Sequence, residues 1–192
     1  MRKYRQKSAI PTAVVLLLIA AALLAVAGVM GYSMYREKSY PLEYSEYVEK
    51  YSEENGLNKF LVYAVIRTES GFASDAVSNV GARGLMQITE DTFDWIKYRL
   101  GDEESVYYDM YDPETNIKYG CWFLGFLSEE FAGIDEVASA YHAGRGSVNE
   151  WLNDKKYSAD GVHLNKIPGR DTAHYVYKIT KAMDAYIRLY DK

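Results

Sequence analysis

The stretch ESGFASDAVSNVGARGLMQI, Glu69 to Ile88, decides how the rest of the chain is read. A single acid closes a strongly apolar segment, FLVYAVIRT from Phe60 to Thr68, and a glycine-rich turn containing Met86 and Gln87 follows. The segment is apolar on most faces, as a buried helix requires, and Asn58 stands where its N-cap belongs. Ser70-Gly71 supplies the stop. Glu69 is therefore expected at the C-terminal end of a buried helix. There, desolvation and the negative end of the helix dipole both disfavour the carboxylate and raise its pKa. A raised carboxyl pKa is what a general acid requires. A glutamate at a helix end is more often a solvated surface residue, so the assignment depends on what surrounds it.

The N-terminus is a separate problem. Ala13 to Gly31 carries no charge and is built almost entirely of Ala, Val, Leu, Ile, Met and Gly. At about 1.5 Å per helical residue it nearly crosses a hydrocarbon core of about 30 Å, and extension to Tyr35 completes the span. Arg2, Lys3, Arg5 and Lys7 precede it without an acid, which by the positive-inside rule puts residues 1–12 in the cytoplasm and everything beyond Tyr35 outside. Ala25-Val26-Ala27 has the small-x-small form of a cleavage site, so removal as a signal peptide is the competing reading. The apolar run is longer than an ordinary h-region of about 7–15 residues, which favours an uncleaved anchor. Cys121 is the only cysteine, which rules out an intramolecular disulfide and leaves no N-terminal site for a lipid.

Past the anchor, residues 36–42 form a short polar connection, and residues 43–192 are read as one mainly α domain. Helical periodicity and end signals put helices at about 43–54, 59–69, 90–99, 113–131, 134–142, 147–153 and 172–190. Asp112-Pro113 reads as an N-cap with proline at the first helical position, Thr89 caps another helix, and Asn55-Gly56 ends one. The period disappears over 71–88 and 153–170. The whole chain is at −5, but the four N-terminal bases leave 18 basic against 27 acidic residues, or −9, outside the membrane. Such a domain is poorly suited to nucleic acid. It is not drawn by charge to an anionic wall either, so recognition of a polymer falls to a shaped groove, hydrogen bonds and aromatic surfaces. His142, His163 and His174 are too dispersed for a metal motif, and no phosphate-cradling loop occurs, so no metal and no cofactor is expected.

Four motifs stand in order along the domain. Glu69-Ser70 is followed by Ser78, Gly81-Ala82-Arg83-Gly84 and Gly84-Leu85-Met86-Gln87-Ile88; then come Asp112-Pro113-Glu114-Thr115-Asn116-Ile117 with Gly120 and Leu124; then Ala140-Tyr141-His142-Ala143-Gly144 with Gly146, Val148 and Trp151; and finally Ile167-Pro168-Gly169-Arg170-Asp171-Thr172 with Tyr175-Val176. Together they resemble the lytic transglycosylase family with the lysozyme-like SLT domain, from about Tyr44 to Tyr186. The resemblance implies cleavage of the β-1,4 bond between N-acetylmuramic acid and N-acetylglucosamine in peptidoglycan without consuming water. Glu69 would first protonate the bridging oxygen, with the substrate's N-acetyl group stabilising C1. As carboxylate it would then take the proton of the C6 hydroxyl, which closes a 1,6-anhydromuramyl end.

By family position Ser78 would orient the reacting sugar, Met86 and Gln87 would line the groove, and Tyr141 and Tyr175 would offer ring faces and hydroxyls, Tyr175 nearer the acid. Each has a plainer role open to it: a turn serine, core filling, packing tyrosines. Two positions depart from the family pattern. His142 stands where asparagine is usual, and would bring pH sensitivity near the ordinary histidine pKa of about 6.5 unless it is structural. Asp171, a possible substrate-binding residue, stands where glutamate is usual and is one methylene shorter. Asp75, Asp91 and Asp94 follow Glu69 closely enough that one could face it across the cleft, which would favour a water-admitting muramidase on the same fold. A wall-binding or scaffold protein that has lost turnover, and an enzyme active only when recruited to an envelope machine, are the other readings.

Overall fold

A computed structural model describes residues 11–191, and the chain falls into two units that meet between Pro41 and Leu42. The first is a single helix, α1 (Thr12–Ser39). Its stretch Thr12–Arg36 is 25 residues long and apolar enough to cross a membrane, since about 1.5 Å per residue exceeds a hydrocarbon core of about 30 Å. The polar residues Arg36 to Ser39 continue the helix. The connection to the second unit is thus mostly helical. Arg2, Lys3, Arg5 and Lys7 lie outside the described residues.

The second unit is built from seven α-helices and one 3-10 turn: α2 (Ser45–Glu54), α3 (Lys59–Glu69), α4 (Glu90–Leu100), the 3-10 helix Tyr107–Tyr111, α5 (Pro113–Glu130), α6 (Ile134–Ala143), α7 (Arg145–Asn153) and α8 (Arg170–Tyr190). The expected end signals have their mechanisms. Asn58 accepts from the Phe60 amide, Thr89 from Thr92 and Asp112 from Thr115, each satisfying one of the orphan amides of a first turn. Tyr107–Tyr111 carries no helical period long enough to be read from sequence, and its short 3-10 turn comes as a finding.

Helix α3 lies at the centre. Every residue from Phe60 to Ile66 is buried, and α3 packs against α8 and α2, while α6 packs against α8, α5 and α7. A fully buried aliphatic or aromatic side chain contributes roughly 1.5–3 kcal/mol, so this single helix supplies much of the driving force that anchors Glu69 at its end. The stripe on α8 is core: Tyr175, Val176, Ile179, Met183 and Tyr186 are buried, and Tyr186 stacks on Tyr63 at 5.3 Å. Among the described residues the 71–88 segment has only isolated antiparallel bridges, Val77 with Arg83 and Arg83 with Ile88.

Candidate active site

Glu69 is the last residue of α3 and is half-buried. The hydroxyl of Tyr175, on α8, donates to its Oε1 at 2.7 Å. Burial pushes the Glu69 carboxyl above the ordinary range, and the Tyr175 hydrogen bond and the nearby positive charge of Lys178 offset this in part. Tyr175 is itself buried, so its phenol is held well above 10 and remains a donor. Helix geometry explains the balance: the end of α3 presents carbonyls rather than amides, so the acid has no row of N–H groups to stabilise its charge. Among the described residues no carboxylate figures among the groups that act on Glu69. Asp75, Asp91 and Asp94 are all exposed, and Asp91 faces a different pocket.

The ring of His142 stacks on Tyr175, with centroids 4.5 Å apart and planes 15° apart. His142 is exposed, yet desolvation and Lys178 lower its pKa, with Asp171 opposing them. Asp171 sits in the first turn of α8, exposed, and reaches this group through its charge. Glu69, Tyr175 and His142 therefore form one layered array, drawn from α3, α8 and the end of α6.

The rest of the expected set builds the turn beside that array. The Ser78 hydroxyl accepts from the amides of Val80 and Ala82 at 3.3 and 3.1 Å, so it serves the turn and keeps its O–H to donate. Gln87 has φ +51, a left-handed conformation uncommon for a side-chain-bearing residue, and its amide donates to the carbonyls of Ala76 and Gly84. Met86 was expected to line the groove, but its side chain is fully buried. Gly120 on α5 leaves a hollow that the Met86 sulfur fills, and any Cβ there would collide with it. Met86 thus supports the groove floor from beneath. Tyr141 is committed in a similar way: its hydroxyl donates to the Met86 carbonyl at 2.7 Å.

Two positioning residues, Asn116 and Ser70, were not picked out from sequence as site residues, and Gly84, read there as a turn glycine that lets backbone approach sugar, instead meets Asn116 and Met110. Asn116 is fully buried; its Oδ1 accepts from the Met86 amide at 2.8 Å, and its Nδ2 donates to the carbonyls of Arg83 and Met110. Gly84, at φ +74, lies so close to Asn116 and Met110 that a Cβ would overlap both. Ser70 donates to the Leu85 carbonyl at 2.8 Å, tying the residue after the acid to the same turn. The signal for Asn116 was an amide on the inward face of an apolar helix, where an unpaired polar group would cost about 1–3 kcal/mol. Lys178 lies one turn beyond Tyr175 on α8, a spacing that brings it to the same face.

Residues 46–163, which hold the acid at the end of α3, the glycine turn and the buried asparagine that clamps it, match the transglycosylase SLT domain. The chain belongs to that family. The chain is 32% identical over 161 residues to the soluble lytic murein transglycosylase of Salmonella typhimurium, covering 79% of this chain and 24% of that protein. It is 29% identical over 170 residues to the membrane-bound lytic murein transglycosylase C of Serratia proteamaculans, covering 76% of this chain and 47% of that one. Its fold is similar to that of an inactive variant of the lytic transglycosylase Slt of Pseudomonas aeruginosa, with TM-score 0.73 and 28% identity over 81% of this chain and 26% of that one. The 70 kDa soluble lytic transglycosylase of Escherichia coli gives TM-score 0.71 and 26% identity, over 80% of this chain and 25% of that one. The chain therefore spans between about a quarter and a half of the length of these relatives.

Proposed function

We propose that the SLT domain is a peptidoglycan lytic transglycosylase in which Glu69 is both the general acid and the general base. One observation carries the reading: a half-buried glutamate with a raised pKa, held by one phenol and acted on by no second carboxylate. A glycosidase that activates water on the opposite face of the sugar, or forms a covalent intermediate, uses a pair of carboxyl groups. Among the described residues no second carboxylate acts on Glu69. In the first step the protonated Glu69 gives its proton to the glycosidic oxygen between N-acetylmuramic acid and N-acetylglucosamine, and the bond to C1 breaks. The acetamido oxygen of the muramyl residue stabilises C1 as positive charge develops. The Glu69 carboxylate, stabilised for that moment by the Tyr175 hydroxyl and the charge of Lys178, then takes the proton from the C6 hydroxyl. Its oxygen closes on C1. The products are a 1,6-anhydromuramyl end and a free N-acetylglucosamine hydroxyl, and Glu69 is protonated again.

The Ser78 O–H serves as a donor to the reacting sugar, and His142, neutral at pH 7 because its pKa is lowered, offers an edge to substrate beside Tyr175. Helix α1 anchors the protein with residues 1–12 in the cytoplasm and the SLT domain outside, so cleavage is confined to wall close to the bilayer. The test is mass spectrometry of the fragments that the full-length chain, in detergent micelles, releases from purified peptidoglycan, with Glu69→Gln in parallel. Anhydromuramyl ends from the parent alone are expected. Reducing ends would make the enzyme a hydrolase, and fragments from Glu69→Gln would remove Glu69 from the chemistry.

A further inference from the structure

The short 3-10 helix Tyr107–Tyr111 has no part in the Glu69 array, yet it grips the turn beside that array at two places. The tip of the turn is a closed loop. The Ser78 amide donates to the Ala82 carbonyl at 2.9 Å and the Gly81 amide to the Ser78 carbonyl at 3.0 Å, while the Ser78 hydroxyl accepts from Val80 and Ala82. Farther on, Arg83 and Ile88 exchange amide hydrogen bonds at 2.9 and 3.1 Å. Asn79, Val80 and Gly81 are exposed, and Ala82 alone of residues 78–82 is buried. A loop with so little buried apolar surface opens at small cost. The place of the Ser78 hydroxyl therefore depends on what holds the loop from outside.

Tyr107 reaches it from the 3-10 helix. Its hydroxyl donates to the Gly81 carbonyl at 2.6 Å and shares the same proton with the Ile88 carbonyl at 3.0 Å, a three-centre bond that joins the loop tip to the residue after Gln87. The phenol is half-buried, and burial holds its pKa above the ordinary value, so it stays a donor. Phe93, buried on α4, packs against the ring at 5.7 Å. The guanidinium of Arg83 lies over the same ring at 4.1 Å and over Tyr111 at 5.3 Å, where the ring quadrupole attracts it. Three residues after Tyr107, the Met110 carbonyl accepts from Asn116, whose other end holds the Met86 amide. Ser78 and Gln87 thus stand on a turn clamped at Met86 by Asn116 and at Gly81 and Ile88 by Tyr107.

We infer that Tyr107 is a positioning residue for the reaction at Glu69: with Arg83 stacked on its ring, it latches the Ser78 loop and so sets where the Ser78 hydroxyl meets the reacting sugar. This role rests on the reading of Ser78 as a donor to that sugar. Tyr107 acts through Ser78 rather than on the substrate. A misplacement of about 1 Å at a reacting centre can cost about 100-fold in rate, and a loop held by one shared proton and one stacked guanidinium shifts by part of that distance when the proton is removed. A tyrosine kept for packing alone would behave differently. Phe93, Tyr107 and Tyr119 form one run of rings, and loss of a hydroxyl from that run would lower stability without regard to whether Ser78 is present.

A double-mutant cycle tests the latch, on the full-length protein in detergent micelles acting on soluble peptidoglycan strands, with anhydromuramyl ends counted by mass spectrometry. Tyr107→Phe keeps the ring and its packing and removes the shared proton; kcat should fall about tenfold with KM within about twofold of the parent. Ser78→Ala should lower kcat by itself, and Tyr107→Phe added to it should cost less than about twofold more, because the group being positioned is already gone. Arg83→Gln leaves the Tyr107 hydroxyl but removes the cation from the ring face, and should lower kcat about threefold with the same dependence on Ser78. Melting curves identify the folded variants, and if Tyr107→Phe does not fold, Arg83→Gln decides by the same criterion. An unchanged kcat in the folded variant, or a loss that multiplies in full with that of Ser78→Ala, overturns the latch and leaves Tyr107 a packing residue. The two readings fail in different ways: anhydromuramyl ends from the parent with fully multiplicative losses remove the latch alone, whereas a parent that makes no anhydromuramyl ends removes the catalytic reading and the latch with it.

Discussion

Of the carboxylates in this domain that accept a tyrosine hydroxyl, Glu69 and Asp102 do so at almost the same distance, yet their acidities move in opposite directions. Tyr175 donates to Glu69 at 2.7 Å, and Tyr119 donates to Asp102 at 2.8 Å. Asp102 stands just past the C-cap Gly101 of α4, in a loop that turns the amides of Glu104 and Ser105 and the Ser105 hydroxyl toward it. These donors hold its carboxyl well below the usual carboxylate range. Glu69 still belongs to its helix, at the end where the exposed backbone groups are carbonyls. Its single phenol cannot offset burial, and its carboxyl is pushed up. A lone tyrosine therefore does not decide whether an acid keeps its proton. Burial weighed against the number of local donors decides it, and this separates a structural anion from a proton donor.

The largest break between the two sites is in turnover. Glu69→Gln should lower cleavage of peptidoglycan by about 10³-fold or more, whereas Asp102→Asn should leave it within about threefold; comparable losses would erase the distinction. The next is in pH dependence. Tyr175→Phe keeps the stack on His142 but removes the donor that favours ionised Glu69. The Glu69 pKa should then rise further, and the alkaline limb of the rate profile, where the acid loses its proton, should move to higher pH with about a tenfold loss of rate. Tyr119→Phe should leave that limb in place. An unmoved limb in Tyr175→Phe would show that this phenol does not govern the proton.

Stability separates the pair more quietly, and with opposite signs. The depressed pKa of Asp102 means its stabilisation is present above the unfolded-state value of about 3.9 and lost as pH falls through the folded-state value. Asp102→Asn should cost about 1 kcal/mol at pH 7 once solvent screening is allowed for, with the difference vanishing in acid. The raised pKa of Glu69 means that ionisation destabilises the fold as pH climbs from about 4.3 through the folded-state value. Glu69→Gln should therefore melt at or above the parent at pH 7 and converge with it near pH 4. Thermal melts across pH 3–8 check both, and a lower Tm for Glu69→Gln at neutral pH would contradict the buried-acid assignment. The smallest effect belongs to His142→Asn. Since His142 titrates below about 6.5, the substitution should change the rate at pH 7 by less than about threefold and remove an inflection on the acid side. A profile of unchanged shape would confine His142 to packing.

Asn58, Thr89 and Asp112 illustrate what short-range signals carry. A cap acts on amides two or three residues away, so its consequence is written within one turn of chain, and the observed helices keep close to the expected bounds. The place of Glu69 at a helix end was legible for the same reason, whereas the burial that raises its pKa is tertiary. The settings of Met86 and Tyr141 were not. Whether Met86 faces the groove or the hollow at Gly120, and whether the Tyr141 hydroxyl meets a sugar or the Met86 carbonyl 55 residues away, depends on how α5 and α6 pack against the turn. The clamp by Asn116 spans 30 residues to Met86 for the same reason.

The amino-acid order by itself determined the apolar N-terminal helix, the succession of helices, the family motifs and the acid at the end of α3, because periodicity, capping and turn chemistry act over a few residues. Only the tertiary structure decided that Tyr175, 106 residues from Glu69, donates to it, that among the described residues no second carboxylate acts on it, and that the rings of Trp95, Phe123 and Phe126 converge on one pocket. Those relations join distant helices, and they exist only after burial of the α3 and α8 faces has brought the helices together.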